Sequence, residues 1–111
     1  MSRPIAPSEL AVLERTLKVG ARGVVPASIF LSLHELQVTA ICKCGCATVW
    51  FGAKGDAASG HRLAEAQAIS NGQHMEVLVW SEEQSVIGLE LVGPGPMALP
   101  DPLTIRGYGE A

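Results

Sequence analysis

The pattern of apolar positions predicts two helices in the first third of the chain. Apolar residues recur at helical spacing between Ser8, a suitable N-cap, and Gly20, a residue that can end a helix at positive φ. A second helix is predicted from Pro26 to about Leu36, because proline suits the first position of a helix. The supporting stripes are Leu10, Leu13 and Leu17 in the first helix and Ile29, Leu33 and Leu36 in the second.

From residue 37 onward, apolar positions alternate with polar ones, which predicts β-strands. Asn71-Gly72 is a strong signal for a two-residue type I′ hairpin turn, because both of its residues need positive φ. This turn pairs Ser70 with Gln73 and places small residues opposite larger ones on one apolar face. The predicted pairs on that face are Ala68–Met75, Ala66–Val77 and Ala64–Val79.

Two further hairpins follow from the same alternation. A strand over residues 85–92 is predicted after a three-residue loop at 82–84, because a two-residue loop would place Glu90 opposite Val77 on the apolar face. A two-residue turn is predicted at Cys44-Gly45. The implied pairs are Val79–Ile87, Val77–Leu89 and Met75–Leu91 in the first of these hairpins, and Cys42–Ala47, Ala40–Val49 and Val38–Phe51 in the second.

Together these elements predict a single α+β domain over residues 1–111. Two N-terminal helices pack on one face of an antiparallel, meander-like sheet of about five strands. Residues 93–111 contain too many prolines for regular structure and are expected to form an extended tail.

The opposite face of the predicted sheet is unusually apolar and holds both tryptophans of the chain. An exposed apolar patch usually marks an interaction site, and tryptophan is common among interface anchors. The alternative is that the tail or the glycine-rich loop at 52–60 covers this face within one chain. We expect the chain to self-associate or to bind a protein partner through Trp50, Trp80, Leu78, Ile41, Leu63 and Val86.

Composition narrows the class of protein. Of the 111 residues, 48% are apolar and 17% are charged, which excludes intrinsic disorder. The net charge of −3 argues against a nucleic-acid partner. The sequence contains no long apolar run and its first residues are charged, so we expect neither a membrane span nor a signal peptide, and a cytoplasmic location.

Charge is divided unevenly along the chain. Residues 1–62 carry seven basic and four acidic side chains, whereas residues 63–111 carry one basic and seven acidic. Chance and solubility explain such a division. Alternatively, it allows electrostatic complementarity between copies of the chain or with a basic partner.

All three cysteines lie in one pentapeptide, Cys42-Lys43-Cys44-Gly45-Cys46. As an alternative to the interaction domain, this cluster predicts a zinc-binding module that uses Cys42, Cys44 and Cys46 as ligands. Zinc is bound by four ligands in tetrahedral geometry, so such a site would need a fourth ligand beyond the three sulfurs. The predicted hairpin separates the sulfurs, because Cys42 points inward, Cys44 lies in the turn and Cys46 points outward. The histidines that could complete such a site are His34, His61 and His74.

Two other interpretations of the cysteines stay open. A thiol-redox site is one, since cysteines two residues apart can form a small, strained and therefore labile disulfide ring beside Lys43. The other is structural, since a reduced cysteine in the cytoplasm behaves as a small apolar residue. No Ser-His-Asp set or carboxylate pair can be assembled, so we expect a protein that is not an enzyme.

The sequence resembles a group of small uncharacterised bacterial proteins. The resemblance is carried by the helical start near Glu9-Leu10, by the motif C-x-C-G-C-x-[ST]-[VI] at residues 42–49, and by Leu-Pro-Asp-Pro at 99–102. It implies the same order of helices and paired strands, and it transfers no catalytic residue. Members of the group often have Asp-Gly where this chain has Glu83-Gln84.

Overall fold

A computed structural model of the chain describes residues 2–57 and 60–108. The helices are α1 (Pro7–Gly20) and α2 (Ala27–Ser32), and a 3₁₀ turn (Leu33–Glu35) continues α2. The strands are β1 (Arg3–Pro4), β2 (Gln37–Val38), β3 (Ala40–Ile41), β4 (Val49–Trp50), β5 (His61–Ser70), β6 (Gln73–Glu82), β7 (Ser85–Val92) and β8 (Arg106–Gly107). The predicted α+β class, with two helices and antiparallel pairing, is confirmed.

Among the described residues, the main sheet has six strands in the order β3-β4-β7-β6-β5-β8, and β1 and β2 form a separate two-stranded sheet. The prediction of about five strands was therefore too low. The sixth strand comes from the proline-rich tail, where a 3₁₀ turn (Pro102–Thr104) leads into β8 at the edge of β5. The prolines therefore do not exclude regular structure from the tail, because Arg106 and Gly107 supply backbone partners to the edge of β5. Residues 109–111 of the predicted tail lie outside the described residues.

The core lies between α1 and the inner face of the sheet. Helix α1 packs on β5, β6 and β8, and the small alanine side chains of β5 let it come close. A Cβ added to Gly20 would overlap the carbonyl oxygen of Glu65. Gly20 is therefore required by close packing of helix on strand. The expected positive φ is absent there, and the C-cap residue Ala21 that follows the helix is extended.

The start of α1 also differs from the prediction. The N-cap is Ala6, so Ser8 lies inside the first turn. The backbone N–H of Ala6 donates to the Glu9 carboxylate at 2.9 Å, and Arg3 donates two hydrogen bonds to the same carboxylate at 2.9 and 2.8 Å. Chiefly through the hydrogen bonds from Arg3, the pKa of Glu9 lies below its ordinary value, although the side chain is buried. An ion pair between the exposed Arg3 and the buried Glu9 thus replaces the serine cap.

The β5–β6 hairpin has the predicted register throughout its apolar face. Ser70 pairs with Gln73 and Ala66 pairs with Val77. The turn residues Asn71 and Gly72 have φ values of 52° and 78°, as a type I′ turn requires. Turn chemistry and burial of the alanine face favour the same register, which confirms this part of the prediction.

The β6–β7 hairpin differs from its predicted register by two residues. Glu82 pairs with Ser85 across a two-residue turn, in which Glu83 and Gln84 have φ values of 49° and 67°. Ile87 is an extra residue in β7, since Trp80 pairs with Gly88 and Ser81 with Val86. This β-bulge keeps Leu89 and Leu91 on the apolar face despite the shorter turn, and the prediction had not allowed for it.

The β3–β4 hairpin differs by one residue. Ile41 pairs with Val49 and Ala40 with Trp50, where the prediction paired Ala40 with Val49. The N–H of Cys42 donates to the carbonyl of Thr48 at 3.3 Å. The connection is consequently a wide loop over residues 42–48, and a one-residue shift moves each side chain of a strand to the other face.

Candidate metal centre

The wide loop brings the three cysteines together. Ligand atoms of Cys42, Cys44 and Cys46 all lie within 4.8 Å of one another. Gly45, at φ 95°, lets the chain turn back between the second and third sulfurs. The predicted separation of the sulfurs onto different faces was wrong, because it depended on the two-residue turn that the structure lacks.

Each sulfur has a hydrogen-bonding partner two residues further along the chain. The N–H of Cys44 donates to Sγ of Cys42 at 3.4 Å, and the N–H of Cys46 donates to Sγ of Cys44 at 3.4 Å. The Cys46 thiol donates to Oγ1 of Thr48 at 3.2 Å. Since a hydroxyl also carries a hydrogen, Thr48 can donate to the same sulfur once the thiol has lost its proton.

Thr48 is fixed by the neighbouring strand. Its side chain is buried, and its Oγ1 accepts a hydrogen bond from the N–H of Leu91 at 2.9 Å. The hydroxyl therefore joins Cys46 to β7, which is a central strand of the main sheet. Sequence reasoning missed this residue, although the threonine belongs to the cysteine motif.

The tail holds the other side of the loop. The N–H of Ala47 donates to the carbonyl of Met97 at 2.8 Å, and the Met97 side chain is buried in the core. Between loop and tail is an open pocket of about 410 Å³. Cys44 is exposed there, whereas Cys42 and Cys46 are half-buried. The pocket is lined by the three cysteines, Thr48, Trp50, Glu90 and residues of the segment 91–96.

Two of the three sulfurs are joined in this structure. Cys42 and Cys44 form a disulfide with their Cα atoms 5.3 Å apart, and Cys46 is a free thiol. The same loop therefore combines a disulfide and a group of three convergent sulfurs.

The histidines that the sequence offered as a fourth ligand lie elsewhere. His61 begins β5 and pairs with Ser81, and His74 lies beside the Asn71-Gly72 turn in β6. His34 lies in the 3₁₀ turn after α2. Within residues 2–57 and 60–108, the group of clustered ligand atoms consists of the three cysteine sulfurs alone.

The tryptophans of the predicted interaction face lie beside this pocket. In one row across the sheet, Trp50 pairs with Gly88, Gly88 with Trp80, and Trp80 with Arg62. The Trp50 ring lies on Gly88, where an added Cβ would overlap it. The Arg62 guanidinium is 5.5 Å from the Trp80 ring centre, and Trp80 Nε1 donates to Glu90 at 2.9 Å. Both indoles are half-buried, Trp50 against the backbone of Gly88 and Trp80 beside the Arg62 and Glu90 side chains.

The other four residues of that expected surface do not extend it. Val86 is buried in the core, because the bulge at Ile87 turns it inward. Leu63 is an extra residue of β5 and packs against the core. Ile41 is 66% exposed, but it pairs with the inward-facing Val49 and so belongs to the other face. Leu78 remains on the tryptophan side and is buried there, outside the main core.

Charged side chains cover much of the face around Leu78. Tyr108 donates to the Glu76 carboxylate at 2.6 Å, and Arg62 lies 3.3 Å from Glu65. Burial, together with the hydrogen bond to Glu76, raises the pKa of Tyr108 to about 12. The six residues therefore do not form one continuous apolar patch.

Comparison with protein families, with curated proteins and with solved structures finds no match to this chain. Among the described residues, no helix has the length and apolar character needed to cross a bilayer.

Proposed function

We propose that the reduced chain binds one zinc ion through Cys42, Cys44 and Cys46. The observation that carries this proposal is the convergence of the three sulfurs within 4.8 Å. Thiolates bound about 2.3 Å from a tetrahedral zinc ion lie about 3.8 Å from one another. The free Cys46 sulfur would need to approach the other two by about 1 Å or less, whereas the Cys42 and Cys44 sulfurs would need to move apart once their bond is reduced. An exposed loop accommodates both movements.

The surroundings of the sulfurs suit negatively charged ligands. Backbone N–H groups face Cys42 and Cys44, and the Thr48 hydroxyl faces Cys46. Metal-bound thiolates accept hydrogen bonds from such groups, and partners of this kind fix metal ligands in place. Lys43 lies between the first two cysteines and adds a positive charge next to them.

Three protein ligands leave one position of a tetrahedral ion for another group. The cysteine pocket of about 410 Å³ has room for a water molecule or for a ligand supplied by a second molecule. Zinc is closed-shell and favours thiolate ligands, so this site needs no unusual coordination geometry.

A zinc titration of the fully reduced chain against a chromophoric chelator tests the proposal. We expect one zinc ion per chain, and a loss of affinity of at least about 100-fold in Cys44→Ser, since losing a ligand should exceed the 10–100-fold typical of an outer-shell change. His74→Ala is the control and should leave the affinity unchanged. Less than about 0.2 equivalents of bound zinc in the reduced wild-type chain would rule out this function, because thiolate sites bind zinc tightly.

A second candidate function is self-association through the row that contains Trp50 and Trp80. The two indoles flank Gly88 and are half-exposed. A second copy of the chain is the occupant we favour, because the first half of the sequence is basic and the second half acidic. This role would be non-enzymatic.

Sedimentation equilibrium distinguishes this candidate from a monomer. Trp80→Ala should weaken a dimer at least about 10-fold, because tryptophan is frequently an interface anchor. Val24→Ser is the control, since Val24 is 95% exposed and lies outside the tryptophan row. A wild-type chain that stays monomeric at millimolar concentration contradicts the self-association proposal.

A further inference from the structure

We propose that oxidation gates the metal site, and that the Cys42–Cys44 disulfide is its closed, metal-free state. This inference rests on the proposed zinc binding, and it assigns that site a second activity, the reaction with two-electron oxidants such as peroxides. The observation behind it is that two of the three convergent sulfurs are also disulfide partners.

The two states exclude each other chemically. A zinc ion held by three sulfurs needs the sulfurs of Cys42 and Cys44 as separate thiolates. In the disulfide, the same two atoms are neutral and bonded to each other, so Cys46 alone remains as a thiol ligand. One thiolate cannot retain zinc against solvent and competing ligands, so forming the disulfide releases the ion.

The reaction balances with hydrogen peroxide as the oxidant. The thiolate of Cys44, the exposed member of the group, attacks one peroxide oxygen and becomes a sulfenic acid, while hydroxide leaves. The thiolate of Cys42 then attacks this sulfur, the S–S bond forms, and a second hydroxide leaves. Two protons convert both hydroxides to water. The two sulfurs together lose two electrons and peroxide gains them, so zinc departs with its charge unchanged.

The structure also indicates why Cys46 stays out of the disulfide. Its sulfur lies 3.2 Å from the Thr48 hydroxyl, which is itself fixed to the N–H of Leu91. Cys46 is half-buried, whereas Cys44 is exposed to an oxidant in the pocket. Cys46 therefore remains available as a thiol after the other two cysteines have joined.

The position of Lys43 allows the disulfide pairing to be determined by tryptic digestion. Trypsin cleaves after Lys43, between Cys42 and Cys44, and its neighbouring cleavage sites are Arg22 and Lys54. A Cys42–Cys44 disulfide therefore keeps peptides 23–43 and 44–54 joined. A Cys44–Cys46 disulfide lies within peptide 44–54 and leaves the two peptides separate.

The experiment oxidises the zinc-loaded full chain with hydrogen peroxide, blocks free thiols by alkylation, and follows zinc with a chromophoric chelator. We expect one zinc ion released for each disulfide formed, joined tryptic peptides, and alkylation of Cys46. Cys46→Ser should still give joined peptides, whereas Cys42→Ser should give separate ones. In a portion that is not alkylated, reduction by a phosphine, which unlike dithiothreitol brings no thiol ligand for zinc, should restore zinc binding. The oxidised, unalkylated chain should bind zinc at least about 100-fold more weakly than the reduced chain, since it lacks two ligands.

The possible failures are distinguishable. A reduced chain that binds no zinc overturns the proposed function, and the gating with it. A reduced chain that binds zinc but gives separate peptides, or alkylated Cys44, after oxidation overturns the gating alone. The gating alone is also overturned if the oxidised chain gives joined peptides but binds zinc as tightly as the reduced chain.

Discussion

The long β5–β6 hairpin and the β3 edge of the main sheet are held together by different means. In the hairpin, β5 and β6 are ten-residue strands joined by a tight turn, and their apolar face is buried under α1. At the edge, β3 and β4 have two residues each, and the loop between them is fixed by bonds to β7 and to the tail. Buried apolar contacts thus stabilise the scaffold of α1, β5 and β6, whereas a few hydrogen bonds fix the cysteine loop at residues 42–48. Because its cysteine side chains lie outside the core, such a loop can place its three sulfurs for metal binding.

The largest expected effect is on the scaffold. Leu89 is fully buried and pairs with both Val79 and Val49, so Leu89→Ala should lower the free energy of unfolding by about 2–5 kcal/mol. Denaturant unfolding under reducing conditions measures this change. Leu103→Ala is the control, because Leu103 is 86% exposed. If the cysteine loop is independent of core packing, the zinc affinity of the folded variant stays unchanged. A loss of zinc affinity in parallel with stability would show instead that the loop depends on the core.

The second-largest effect is expected at Thr48, whose hydrogen bond with the N–H of Leu91 joins the cysteine loop to β7. Thr48→Val keeps the side-chain shape but removes the partner of both Leu91 N–H and the Cys46 sulfur. We expect a loss of about 1–3 kcal/mol in unfolding free energy, since a buried N–H is left without an acceptor. Zinc affinity should fall about 10–100-fold, as for other outer-shell partners of metal ligands.

Thr39→Val is the matched control for that change, because Thr39 is exposed and its hydroxyl donates to the carbonyl of Gly52 at 2.7 Å, away from the sulfurs. It should leave zinc affinity unaltered. Equal affinity in Thr48→Val and wild type would show that the hydroxyl does not support the cysteines.

A smaller effect concerns the start of α1 and depends on pH. The pKa of Glu9 is lowered, chiefly by the hydrogen bonds from Arg3, so the ionised carboxylate adds stability that is present above the ordinary glutamate pKa of about 4.3. This stability is lost as the pH falls through the lowered pKa. Glu9→Gln should cost about 1–2 kcal/mol at pH 7 and should flatten the loss of stability on acidification below about pH 5.

Thermal unfolding between pH 3 and pH 7 measures the pH dependence of Glu9, with Glu14→Gln on the same helix as the control. An acid dependence that is identical in wild type and Glu9→Gln would show that the ion pair contributes nothing measurable.

The smallest expected effect is a gain in stability at the β6–β7 turn. Glu83 and Gln84 both have positive φ, which is costly for residues with a side chain. Replacing them with Asn-Gly should raise the free energy of unfolding by about 0.5–1 kcal/mol, because glycine adopts this conformation without strain but is also freer in the unfolded chain. Gly72→Ala, with φ 78° and open space around its Cβ, should have the opposite sign.

The sequence allowed the β5–β6 hairpin to be predicted because two independent signals, the Asn71-Gly72 turn and the alanine face, favour one register. At β6–β7 the two signals disagreed, and the prediction lengthened the loop where the chain instead inserts Ile87 as a bulge. That insertion also decides that Val86 faces the core. A bulge leaves no distinct pattern in a short alternating segment, so its position follows from packing.

The cysteine loop could be located but its geometry could not be predicted. Short apolar alternation fits two registers equally well, and the bonds that decide between them join distant parts of the chain: Thr48 to Leu91, and Ala47 to Met97. The motif alone therefore identified the three candidate ligands, and tertiary contacts determined that their sulfurs converge.

X-ray absorption at the zinc edge of the reduced, zinc-loaded chain counts the sulfur atoms around the ion, and so shows whether all three cysteines bind it. We expect one zinc ion per chain with three sulfur neighbours at about 2.3 Å and one lighter neighbour. Two or fewer sulfur neighbours in the wild-type chain would contradict the claim that Cys42, Cys44 and Cys46 act together as one site.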